Sequence, residues 1–155
     1  MRSFVLAAIL LSIGVAALVL IGINALAGPY SEAAVREFDT VYRVLGWAKY
    51  AAALLLLWLG DRAVLWREHL GWKRALLLWS PLLFFVACSY FQWVVMADAR
   101  IDYLQRHGRW DGETPGTVLL MAFVYPLAFA ATAANALWVQ RRQRRLTAVG
   151  LRRDA

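Results

Sequence analysis

The chain has 155 residues, a formal net charge of +7 and 62% hydrophobic residues, with a mean hydropathy of +0.54. Its apolar share exceeds the roughly 45–50% of ordinary soluble domains and is gathered into four blocks. This excludes a conventional soluble core and places the positive charge in short segments between apolar runs, where it offers no nucleic-acid-binding face. A single cysteine, Cys88, excludes an intramolecular disulfide, an all-cysteine metal site and thiol-oxidase chemistry that needs cysteine pairs.

The first block, Ser3 to Ala27, contains no charge. Arg2 before it and Ala25-Leu26-Ala27 at its end have the outline of a signal peptide. The apolar stretch Phe4–Ile23 is longer than the 7–15 residues of a signal-peptide core and long enough to span a bilayer, so an uncleaved helix is expected. Ala8, Ser12 and Ala16 recur every fourth residue on one face. The segment from Gly28 to about Arg43 reads as an outside loop with a short helix over Ser31–Phe38.

The second span covers about 44–66. Lys49 and Asp61 lie toward its two ends, where charged side chains reach the headgroups by snorkelling. The third covers about 75–96, with Pro81 near its start and Cys88 as a small apolar residue in its interior. It runs on into an outside helix in which Asp98, Asp102 and Arg106 share a face. Arg106 is placed to pair with Asp102, and His107-Gly108 marks the helix end. The fourth span covers about 117–139 after Thr114-Pro115-Gly116, with Pro126 expected to kink it. Ala130 and Ala134 offer a small-residue face there. Because close packing through small residues holds helices together in lipid, the first and fourth spans are expected to pack closely. A basic tail, 140–155, follows and is drawn to anionic headgroups.

The fold expected is therefore all-α, a single four-helix transmembrane bundle. Orientation follows from the arginines and lysines of the short loops. One side carries 11 basic residues against Asp61, Glu68 and Asp154; the other carries six against seven carboxylates. The basic side is cytoplasmic, so both termini are inside the plasma membrane. Most of the eight tryptophans fall near span ends, as aromatic belts do; Trp58 is deeper and should face lipid or a partner.

Chemistry is sparse. The polar residues expected within the bilayer are Ser12, Asn24, Ser80, Ser89, Tyr90, Gln92, Tyr125, Thr132 and Asn135, none ionisable at neutral pH. His69 and His107 fall in loops, so the axial histidine pairs of a haem-binding bundle are missing. Ser80 and Ser89 show no histidine or lysine partner at membrane depth, and hydroxyls bonded across helices or to a carbonyl one turn back are expected instead. Asp98 and Asp102 would hold a cation only if Glu37 or Asp39 joined them. No cofactor or metal is expected.

Three functions remain, in this order. The first is a non-catalytic binding protein of the inner membrane, packing against another membrane protein as an accessory subunit or as an immunity protein against a pore-forming toxin. The second is a small oligomeric transporter or channel subunit, with Lys49 and Asp61 as its charges. The third is a lipid-headgroup enzyme using the outside carboxylates, with Arg100, Arg106 or Arg109 on phosphate. The partners expected are the lipid bilayer and a membrane protein or further copies of this chain.

Overall fold

The computed structural model describes residues 1–65, 70–112 and 117–153, and side chains outside 113–125 and 150–155. The described residues form helices and no strand. These are α1 (Arg2–Ala25), α2 (Glu32–Leu65), α3 (Trp72–Tyr90), a π-helical turn (Phe91–Met96), α4 (Ala97–Arg106) and α5 (Thr117–Arg153). Trp66, Arg67, Glu68, His69, Glu113, the Thr114-Pro115-Gly116 opening of the fourth span and Asp154 lie outside the described residues, as do the side chains of Tyr125, Arg152 and Arg153. Three rods are long and apolar enough to cross a membrane: α1, α2, and the continuous helix from Trp72 to Arg106. Many large apolar side chains point outward, among them Leu6, Ile13, Leu20, Leu54 and Leu83.

α1 is apolar from Phe4 to Ile23 apart from Ser12 and ends where Pro29 cannot continue it; the Leu26 and Ala27 amides close its last turn on the Ile23 and Asn24 carbonyls. Ser31 starts α2, its hydroxyl accepting from the Ala33 amide as an N-cap. From there α2 runs unbroken for 34 residues, about 51 Å at 1.5 Å per residue. The separate outside helix expected over Ser31–Phe38 is thus the first turns of the span itself, because nothing between residues 38 and 44 breaks a helix. The long α3–α4 rod ends in a Schellman cap. Gly108, with φ of 65°, lets its own amide reach the Gln105 carbonyl and the Arg109 amide reach that of Leu104.

Helices adjacent in sequence pack side by side: α1 on α2, α2 on α3, and α5 more lightly on α3 and α2. Two core clusters result. At the end carrying the termini, Phe4, Leu56, Val64, Leu70, Leu77, Leu78 and Val139 meet. At the other end, Val19, Leu26, Phe38, Leu45, Met96 and Tyr103 do.

The close pairing expected between the first and fourth spans is not found: among the described residues α1 and α5 share no extended contact. Ala8 is half-buried, but Ser12, Ala16, Ala130 and Ala134 are exposed. The face of α1 that packs carries Phe4, Leu11, Val15, Val19 and Gly22 instead, at steps of seven, four, four and three residues, against α2 and the π-helical turn. Bulky interdigitation with the neighbouring α2 outcompetes the small-residue face. Small residues do matter where backbones meet. A Cβ on Gly60 would lie 2.5 Å from the Leu77 carbonyl oxygen of α3, so Gly60→Val is expected to lower thermal stability in detergent by about 1–3 kcal/mol, while Gly14→Val, where a Cβ meets open space, leaves it unchanged.

Candidate functional site

The densest polar cluster lies between α2 and the α3–π junction, within the apolar part of the bundle. Lys49 projects from α2 into this interface and is 3% exposed. Its Nζ donates to Gln92 Oε1 at 2.9 Å and to Ser89 Oγ at 3.2 Å. The rings of Phe85 and Tyr50 flank it, with centroids 5.2 and 5.6 Å away; such faces attract a cation. Gln92 in turn donates through Nε2 to the Tyr42 carbonyl at 2.9 Å. Among the described residues no carboxylate pairs with Lys49.

Two backbone features make the cluster. Gly46 leaves room for the amide, since a Cβ there would stand 3.2 Å from Gln92 Nε2. The π-helical turn widens the backbone around Gln92, and the Ala97 amide bonds the Gln92 carbonyl five residues back. Such turns insert one residue into a helix and often sit at functional positions. Here the widened turn holds Gln92 and Ser89 toward α2 together.

Two expectations are corrected here. Lys49 does not snorkel, because acceptors inside the bundle replace the headgroups it would otherwise seek. Ser89 does have a lysine partner. A serine and a lysine at this distance have the outline of a nucleophile and its base. However, Ser89 is 0% exposed, so no substrate reaches it and the pair acts as a clamp. Ser12 and Thr132 donate to the Ala8 and Ala128 carbonyls one turn back, whereas the Ser80 hydroxyl, expected to bond to such a carbonyl or across helices, is buried with no partner among the described residues.

Asp61 takes part in a different link. Asn135 of α5 donates to Asp61 Oδ1 at 3.0 Å, tying α2 to α5. Asp61 is 12 positions from Lys49 on the same helix, about 18 Å along the axis, so the two charges form no pair. Trp58 is exposed as expected, with the Arg62 guanidinium 5.0 Å from its ring.

At the far end of the bundle the candidate carboxylates are dispersed. Asp98 and Asp102 are exposed. Arg106, also exposed, donates to the Asp102 carbonyl at 3.2 Å rather than to its carboxylate. Asp39, proposed as a third cation ligand, is bound by Arg100 at 2.9 and 3.4 Å, which also removes Arg100 from any phosphate. No group of three or more His, Cys, Asp or Glu is placed to hold a metal among the described residues.

Sequence reasoning missed Tyr103, the fixed point of this end. Tyr103 is buried, its hydroxyl donating to the Pro29 carbonyl at 2.9 Å and accepting from the Ser31 amide at 3.1 Å, so it fastens the α1–α2 link. The His107 ring lies beside it, tilted by 53° with centroids 4.7 Å apart, and donates through Nδ1 to the Tyr103 carbonyl at 2.7 Å. Tyr103→Phe is expected to raise amide exchange at Ser31 and its neighbours several-fold without altering exchange in α3; unchanged exchange at Ser31 would show that the link is held by other contacts.

The arrangement therefore contains one buried cation clamp, one α2–α5 tie and an aromatic latch. Comparison with protein-family models, with curated proteins and with solved structures gives no match for this chain.

Proposed function

We propose that the chain is a non-catalytic, multi-pass protein of the inner (plasma) membrane that binds another membrane protein, as an accessory subunit or as an immunity protein against a pore-forming toxin. In this reading α1, α2 and α3 are spans, residues 117–139 of α5 are the fourth, and the excess of basic residues around the termini and the α2–α3 link sets that end in the cytoplasm.

The observation that carries the binding reading is the uncovered side of α1. Only 11% of its most apolar window is buried. Beside its packed face runs a groove of about 350 Å³ against α3, bordered by Ser12, Ala16, Ala87 and Cys88. Small side chains on both walls allow a further helix to approach closely, and close approach is what holds helices together in lipid. The hydrogen bonds of Lys49, Ser89 and Gln92 are meanwhile made within the bundle, which leaves its outer surface as the means of interaction.

A photo-crosslinking residue at Ala16, with one at Leu10 on the side of α1 away from the groove as control, tests this in native membranes. One defined protein adduct from Ala16 and none from Leu10 is expected. Lipid adducts alone from both positions would defeat the reading.

Lys49 supports a second reading, an oligomeric transporter or channel subunit, since a buried lysine with no carboxylate partner among the described residues sets an ionisable group inside the apolar interior. Ion flux through vesicles containing the chain would be abolished by Lys49→Ala in that reading; flux that survives it refutes the role.

A further inference from the structure

We infer that the groove between α3 and α5, at the end of the bundle carrying the termini, binds one anionic phospholipid, with the phosphate on Arg74 and Gln140 and an acyl chain along the apolar walls. The inference rests on the membrane-inserted reading of α5 proposed above.

The groove has a volume of about 520 Å³ and is walled by Leu78 and Trp79 of α3 and by Ala133 and Leu137 of α5, with Arg74 and Gln140 among its lining residues. Its two polar residues come together at one end: Arg74 lies in the first turn of α3 and Gln140 where α5 leaves its apolar segment. Both are half-buried. Neither side chain has a hydrogen-bond or ion-pair partner among the described residues. A half-buried guanidinium without a carboxylate is an incomplete site, because desolvating a cation is costly unless an anion or acceptors compensate. A phosphate monoanion completes it, since arginine presents a fork of donors matched to phosphate oxygens. The N-terminus of α3, which has no side-chain cap, adds a partial positive charge on the same side.

Three features favour a phospholipid over a free phosphate. The polar mouth opens at the level where Trp138 and Arg142 stack, 5.1 Å from ring to guanidinium, as expected of a residue pair at the headgroup layer. Below it the walls are apolar, and a separate apolar groove at Leu82, Pro126 and Phe129 lies farther along the same pair of helices. From Gln140 to Pro126 is about 21 Å of helix, enough for an acyl chain crossing one leaflet of a hydrocarbon core about 30 Å thick. The exposed Arg141, Arg142, Arg144 and Arg145 just beyond the mouth raise the local concentration of anionic headgroups. Arg144 lies one turn beyond Gln140 on the face that lines the groove.

Native mass spectrometry of the full chain, released from nanodiscs of mixed phosphatidylglycerol and phosphatidylcholine, tests the site. One retained phosphatidylglycerol is expected, with occupancy about tenfold lower in Arg74→Gln, the loss of a charge-assisted contact. Leu137→Trp, which fills the apolar wall and leaves every arginine in place, should remove the lipid as well; inorganic phosphate should not displace it. The inference is overturned if phosphatidylcholine is retained equally. It is equally overturned if phosphatidylglycerol is lost only when the four arginines of 141–145 are replaced together, which would mark diffuse surface attraction. Carbonate extraction separates the two levels: a chain released from membranes by carbonate defeats membrane insertion itself, whereas a chain that stays and shows no lipid preference defeats this site alone.

Discussion

Gln92→Leu is expected to destabilise the bundle by about 2–3 kcal/mol, the worth of a hydrogen bond to a charged group, and to do so more strongly than removing the charge itself. The substitution deprives Lys49 Nζ of its 2.9 Å acceptor and leaves it with Ser89 alone, in an interface from which water and headgroups are excluded. It also removes the donor to the Tyr42 carbonyl. Lys49→Met keeps the length of the side chain and removes the charge that must be solvated. It leaves only neutral Gln92 and Ser89, for which the remaining helices provide alternatives, and should cost about 1 kcal/mol. The double substitution should be less destabilised than Gln92→Leu alone. This ordering is the opposite of what packing predicts, since leucine is the more lipophilic replacement. Thermal unfolding of the four proteins in one detergent measures it. If Lys49→Met proves the most damaging and the double variant is worse still, the cluster is held by something other than solvation of a buried cation.

The second large effect concerns α5. Asn135→Leu removes the hydrogen bond that satisfies Asp61 Oδ1 and leaves a half-buried carboxylate facing an apolar side chain. A loss of about 2 kcal/mol is expected, felt mainly as detachment of α5, because α5 packs more lightly than the other helices. Hydrogen exchange should accelerate in α5 and remain slow in α1 and in the outer half of α2. The exchange of roles, Asp61→Asn with Asn135→Asp, rebuilds one amide-to-carboxylate bond in the reverse direction and should restore most of the loss. Failure of that swap to restore slow exchange, with both single variants folded, would show that the pair is incidental to α5 docking.

These two links illustrate what could be read from the chain before its structure. The residues themselves were legible: Lys49, Asp61, Ser89, Gln92 and Asn135 stand out as polar groups among apolar neighbours. Their pairing was not. Whether a lysine near a span end turns outward or inward depends on acceptors supplied by another helix, here some 40 positions away, and on a π-helical turn that α-helical periodicity does not signal. That three helices are long and apolar enough to cross a membrane was likewise legible, from hydropathy and length. Their continuity with α4 and with the start of α2 followed the absence of helix breakers. The packed face of α1 was hidden for a physical reason: every face of that helix is apolar, so no contrast marks the side that meets α2. Small residues then suggested Ala8, Ser12 and Ala16, while burial selected the side carrying Phe4, Leu11 and Val15. At the end away from the termini, Asp98, Asp102 and Arg106 were read on one helix and do lie on α4, but nothing in their spacing revealed that Asp39 would be taken by Arg100.

The central claim is that this bundle works by holding another membrane protein. Its most direct test is purification of the tagged chain from native membranes in a mild detergent, with the mass of the intact particle and the identity of its components measured together. A stoichiometric membrane protein that is retained by the wild-type chain and lost in Ala16→Trp, with the variant's own thermal stability unchanged, is the expected result. A particle containing this chain alone, as a monomer with only detergent and lipid, would contradict it.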